Sequence, residues 1–148
     1  FYWYKNNILI NHFKKTNFKK NNFMIFGVLS AVFLMIHSIL LGLETDIKIF
    51  KFLRRVVLVS FIIFEIVAQS MLVMNFYKLK NKLKKFFYPN ILKLKILLVS
   101  ILIFVAVISI PLLIVGGNIH FKHGLEWNYF IGVILFYFLT SLFWKKKS

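Results

Sequence analysis

The sequence predicts an all-α membrane protein with four transmembrane helices in an antiparallel bundle. Three observations carry this. Hydrophobic residues make up 60% of the chain and charged residues 16%, whereas soluble domains sit near about one half and one quarter. Apolar runs of about one membrane thickness recur at residues 23–43, 56–77, 96–117 and 127–144. Lysine and arginine gather between these runs, where membrane topology places them.

Residues 1–22 come first. They open on Phe1, Tyr2, Trp3 and Tyr4 and carry Lys5, Lys14, Lys15, Lys19 and Lys20. Leu9 and Ile10 are too short an apolar stretch to span anything. The segment is expected to be a basic cytoplasmic arm against the lipid headgroups, followed by a single four-helix transmembrane domain over residues 23–148. It does not resemble a secretory leader, because the apolar run that follows is too long and ends at Glu44 without a small-residue cleavage pattern.

The first apolar run, 23–43, has His37 as its only ionisable group. At 1.5 Å per residue it reaches roughly 31 Å, enough for the hydrocarbon core. The second run, 56–77, holds one acid, Glu65. The third, 96–117, holds no ionisable group and carries Pro111 near its end, where a kink is expected. The fourth, 127–144, begins and ends on tryptophan, with Tyr129 just inside, as in the aromatic belts at membrane interfaces. Lipid forces each run to satisfy its own backbone hydrogen bonds, so all four should be helical. None alternates as a barrel strand would. Between the first two runs, residues 47–53 alternate apolar and basic side chains and are expected to form a short interfacial segment.

The formal net charge is +16, from 20 Lys and Arg against 4 Asp and Glu. No nucleic-acid recognition motif accompanies it, so nucleic acid is not an expected partner. The charge reads as topology. With four spans, one side carries 15 basic residues (the N-terminal arm, the second loop and the C-terminus) and the other carries 5 (Lys48, Lys51, Arg54, Arg55 and Lys122). That bias places both termini in the cytoplasm of a bacterial inner membrane. The expected partners are the lipid bilayer and, because four helices enclose little interior, a second copy or another membrane subunit.

The chain has no cysteine, which excludes disulfides, thiolate catalysis and Cys-based metal sites. No nucleotide fingerprint, phosphate loop or serine hydrolase pattern is present. Polar residues inside the spans therefore carry the search for function. Glu65 lies about 13 Å below the outer surface by helical rise. An acid at that depth is expensive and normally faces a bundle interior or a water cavity. Gln69 follows at i+4, on the same face. His37, roughly 9 Å deep on the first helix, is at a similar level. It shares a face with Gly27 and Ser30, small residues that suit close helix packing. His37, Glu65 and Gln69 are the expected intramembrane polar set, suited to proton or ligand handling or to interhelical hydrogen bonding.

A second cluster lies between the third and fourth runs. His120, His123 and Glu126 are spaced three apart, so on a helix they approach one face and make a candidate metal set for zinc or non-haem iron. Glu44 and Asp46, expected on the same outer side, could add oxygen ligands. Haem would need His120 or His123 to fold inward beside His37. No resident cofactor is predicted otherwise. These residues identify no family. Four-helix transporters of the small multidrug resistance type also carry one intramembrane glutamate, but here that acid stands in the second span and the remaining pattern departs from theirs. The sequence thus points to a small transporter or subunit with an outward-facing polar pocket. The alternatives are a metal- or haem-binding membrane enzyme and a structural subunit.

Overall fold

Six helices account for nearly all of the computed structural model, which describes residues 1–14, 21–43, 47–114 and 119–145. They are α1 (Tyr2–Lys14), α2 (Asn22–Gly42), α3 (Lys48–Lys78), α4 (Lys80–Leu83), α5 (Pro89–Ile114) and α6 (Ile119–Phe143). The described residues contain no strand beyond an isolated bridge between Phe87 and Trp144. Three described helical stretches are long and apolar enough to cross a membrane: Asn22–Gly42, Lys48–Lys78 and Pro89–Ile108. Trp127–Phe143 forms a shorter apolar helix. Their outer faces carry large apolar side chains, such as Ile39, Phe104 and Ile134, each about two-thirds exposed. Such faces suit lipid rather than water.

The helices extend beyond the apolar runs. α3 begins at Lys48, α5 at Pro89 and α6 at Ile119, each well before the run it contains. Hydropathy marks the part of a helix that suits lipid, not the whole helix. Residues 48–78 contain neither Gly nor Pro, so nothing interrupts the helix there, and the expected separate interfacial segment is the first part of α3. Pro89 opens α5, the position where its missing N–H costs nothing. α5 continues through Pro111 to Ile114.

The chain divides into two compact units, Phe1–Leu72 and Val73–Ser148. In the first, α1 packs on α2. The buried residues of α1 are Trp3, Asn6, Asn7, Ile10 and Asn11, a stripe at helical spacing that is mostly polar. Asn21, the N-cap of α2, ties the two helices together. Its backbone N–H and its side-chain amide donate to Asn7 Oδ1 at 3.1 and 2.7 Å. The same amide donates to Asn11 Oδ1 at 3.0 Å. Above this cluster the Trp3 indole lies directly on Gly27, so closely that a Cβ at position 27 would overlap Cδ2 and Cε2 of the ring. The segment expected to be an arm is therefore helical over Tyr2–Lys14 and docked on α2. Phe26 and Phe33 of α2 stack on Phe64 of α3, with ring centroids 5.9 and 5.4 Å apart.

In the second unit, α5 and α6 form the main helix pair. Contacts match rising with falling numbers, Lys95 with Thr140 and Leu102 with Gly132, so these two helices run in opposite directions. At one end Tyr88 N–H donates to the Phe143 carbonyl and Lys145 N–H to the Phe86 carbonyl. Phe76, Phe87 and Phe143 fill the space beside them, with Phe87 and Phe143 stacked at 4.7 Å.

Candidate functional site

Burial on α2 follows a single stripe: Phe23, Gly27, Ser30 and His37. The spacing of four, three and seven keeps these residues on one face of a helix. On α3, Leu58, Phe61, Glu65, Ala68, Gln69 and Leu72 are likewise buried. The apolar members of both stripes are the structural reason the polar ones are enclosed.

Glu65 is 2% exposed and Gln69 0%. Gln69 Nε2 donates to Glu65 Oε1 at 2.9 Å, the i+4 contact that the spacing predicts. The cross-helix partner of Glu65 is Ser30, whose hydroxyl donates to Oε2 at 2.5 Å. Ser30 Oγ also lies 2.9 Å from the Gly27 carbonyl of its own helix. Three polar side chains are thus joined in a buried contact between α2 and α3.

A serine hydroxyl has one proton to donate. Its oxygen sits within bonding distance of two oxygens, the Gly27 carbonyl and Glu65 Oε2, so it serves one of them at a time.

His37 is buried on the same stripe as Ser30, two turns further along α2, and its Nδ1 has no hydrogen-bond partner. The structure joins Glu65 to Gln69 and Ser30. Gln69 Oε1 is likewise buried and unpartnered. Leaving such an atom unsatisfied costs about 1–3 kcal/mol, so the cluster retains acceptor capacity that a donor could use.

His120, His123 and Glu126 fall within α6, whose backbone is helical from Ile119 and passes through Gly124. Their side chains, and residues 44–46, lie outside what the structure describes. Among the described residues no group of three or more His, Cys, Asp or Glu side chains could hold a metal ion.

A polar residue that the sequence did not single out stands in the second unit. Lys95 is 1% exposed. Its ammonium donates to Thr140 Oγ1 at 2.6 Å and lies over the rings of Phe136 and Phe143, 4.1 and 5.2 Å from their centroids. The signal was spacing: Leu92, Lys95, Val99 and Leu102 recur at intervals of three and four and are all buried, which makes Lys95 a core position. In the sequence it is one of a run of loop lysines.

Compared with protein-family models, curated proteins and solved structures, the chain matches none.

Proposed function

We propose that this chain is a small polytopic membrane protein, a transporter or the proton-handling subunit of one. It would have four spans in an antiparallel bundle and both termini in the cytoplasm of a bacterial inner membrane. The observation that carries this reading is the buried Ser30–Glu65–Gln69 cluster. An acid at membrane depth is costly and is retained where it serves a pathway. This one is enclosed, with Ser30 of α2 donating to one carboxylate oxygen and Gln69 of its own helix donating to the other. The unpartnered Gln69 Oε1 beside it offers an acceptor to a donor-bearing solute or water. His37, further along the same stripe with Nδ1 unpartnered, extends the polar path toward the outer end.

The experiment is proton flux into proteoliposomes that contain a pH-sensitive dye, under an imposed pH gradient and a potassium–valinomycin clamp. The native chain should acidify the lumen faster than empty liposomes do. Glu65→Gln keeps the size and one hydrogen bond but cannot exchange a proton, so flux should fall to the empty-liposome background while the variant stays folded. Flux unchanged in Glu65→Gln would sink the proton role.

One observation favours a second reading, that of a structural subunit. The Ser30–Glu65 contact also links two helices, and interhelical hydrogen bonds in membranes contribute about 0.6 kcal/mol on average. Under that reading Glu65→Gln is silent in every assay. Glu65→Leu, which removes the cross-helix bond to Ser30 and strands the Gln69 amide donor, destabilises the protein by about 1–3 kcal/mol.

A further inference from the structure

The second unit contains a cavity of about 250 Å³ where α3 ends, α4 turns and α5 begins. Lys80, Lys84 and Lys93 line it together with Tyr77, Phe87 and Leu92. The three lysines are exposed, whereas Phe87 and Leu92 are buried, so a basic rim stands over an apolar floor. Lys80 rests its ammonium over the Tyr77 ring at 4.5 Å, which leaves the ammonium protons free to turn toward an anion. The floor is braced from behind: Phe87 stacks on Phe143, and Phe143 in turn contacts the buried ammonium of Lys95.

Charge around the cavity is one-sided. No acidic residue occurs anywhere in residues 66–125, while Lys78, Lys80, Lys82, Lys84, Lys85, Lys93 and Lys95 fall within eighteen positions. No carboxylate of this stretch can neutralise the rim. The cavity also lies at the ends of two helical stretches long enough to cross a membrane, the level at which phosphate headgroups meet acyl chains.

We propose that this cavity binds the phosphate headgroup of an anionic phospholipid, with Lys80, Lys84 and Lys93 as its cationic rim and the acyl chains running along the apolar floor and flank of α5. Basic pockets between membrane helices on the positively charged side hold acidic headgroups in this way. The site is independent of the Glu65 cluster, which belongs to the other unit.

The test is native mass spectrometry of the full chain released from nanodiscs that contain equal phosphatidylglycerol and phosphatidylcholine. The unaltered protein should retain phosphatidylglycerol at least tenfold over phosphatidylcholine. The triple variant K80Q/K84Q/K93Q, all at exposed positions, should lose that preference. A control with the same loss of charge elsewhere, K5Q/K48Q/R55Q, should keep it. Inorganic phosphate at millimolar concentration should not displace the lipid. Equal retention of the two lipids by the unaltered protein overturns the proposal, and that comparison needs no variant to fold. Loss of preference in the control overturns the site in favour of diffuse attraction. Displacement by inorganic phosphate overturns the lipid in favour of a soluble anion.

Discussion

At the scale of single residues, the buried Lys95 shows how a membrane helix can enclose a charge. Its ammonium has a hydroxyl acceptor in Thr140 and two aromatic faces, and Thr140 in turn donates to the Phe136 carbonyl at 2.9 Å. Cation–π contacts reach about 2 kcal/mol when desolvated. Removing the hydroxyl leaves the charge short of a partner. Thr140→Val is therefore expected to destabilise the second unit by about 1–3 kcal/mol, measured by thermal unfolding in detergent. Lys95→Met removes the charge and keeps the volume, so it should be neutral or stabilising, as when buried ionic groups give way to apolar isosteres. Added to Thr140→Val, it should restore most of the lost stability. A Thr140→Val variant as stable as the native chain would show that the rings alone hold the ammonium. Lys95 also marks where sequence reading failed. Topology counting treats every lysine near an apolar run as a loop charge, and that habit hid its place in the Leu92, Val99, Leu102 stripe. Glu65 and Gln69 were legible because four residues separate them on a helix, and burial makes the acid conspicuous. Their bond to Ser30 was not. Serine barely changes hydropathy, and no spacing rule links residues 35 positions apart, so only the fold reveals it.

At the scale of elements, the apolar portions of α2, α3 and α5 were legible because lipid demands long runs that no other selection produces. Their ends were not, since lysine and arginine are good helix formers and carry α3 and α5 past the hydrophobic boundary. α1 was missed for a related reason. Its buried stripe has helical period but is filled with asparagine, and Asn7 and Asn11 accept from Asn21 instead of packing as hydrocarbon. The docking of α1 rests on that asparagine cluster and on Trp3 lying over Gly27. The indole is rigid, so a methyl group there must push the helix away. Gly27→Ala is expected to weaken α1 docking by about 1–3 kcal/mol, the range for overpacking a filled contact. The check is hydrogen exchange: amides of residues 2–14 should lose protection in Gly27→Ala while those of α5 and α6 keep theirs. Unchanged protection in α1 would mean that the asparagine cluster alone holds it. The same small-residue rule operates in the second unit, where a Cβ at Gly132 would lie 2.5 Å from Leu102 Cδ2. There the obstacle is the flexible end of a leucine, so the constraint is softer.

At the scale of the whole molecule, the proposed orientation rests on the distribution of basic residues, and the reading of both sites depends on it. Under the proposed four-span topology the margin of 15 against 5 favours cytoplasmic termini, and withdrawing the buried Lys95 from the tally leaves that margin wide. The absence of cysteine from the chain makes the topology directly measurable, since any introduced thiol is the only one present. Single cysteines in place of Lys5, Lys84 and Lys145 should react with a membrane-impermeant maleimide only after cells are permeabilised, and a cysteine in place of Lys48 should react in intact cells. The reverse pattern would invert the protein, placing the lysine-rimmed cavity in the outer leaflet and Glu65 nearer the cytoplasm. Labelling of positions 5 and 145 from opposite sides would break the even number of spans and, with it, the antiparallel four-helix arrangement. The expected pattern puts Lys80, Lys84 and Lys93 against the cytoplasmic leaflet, whose anionic lipids attract juxtamembrane lysines by about 1 kcal/mol each. It also turns the Glu65 cluster and His37 toward the outer side, where a proton-linked solute would enter.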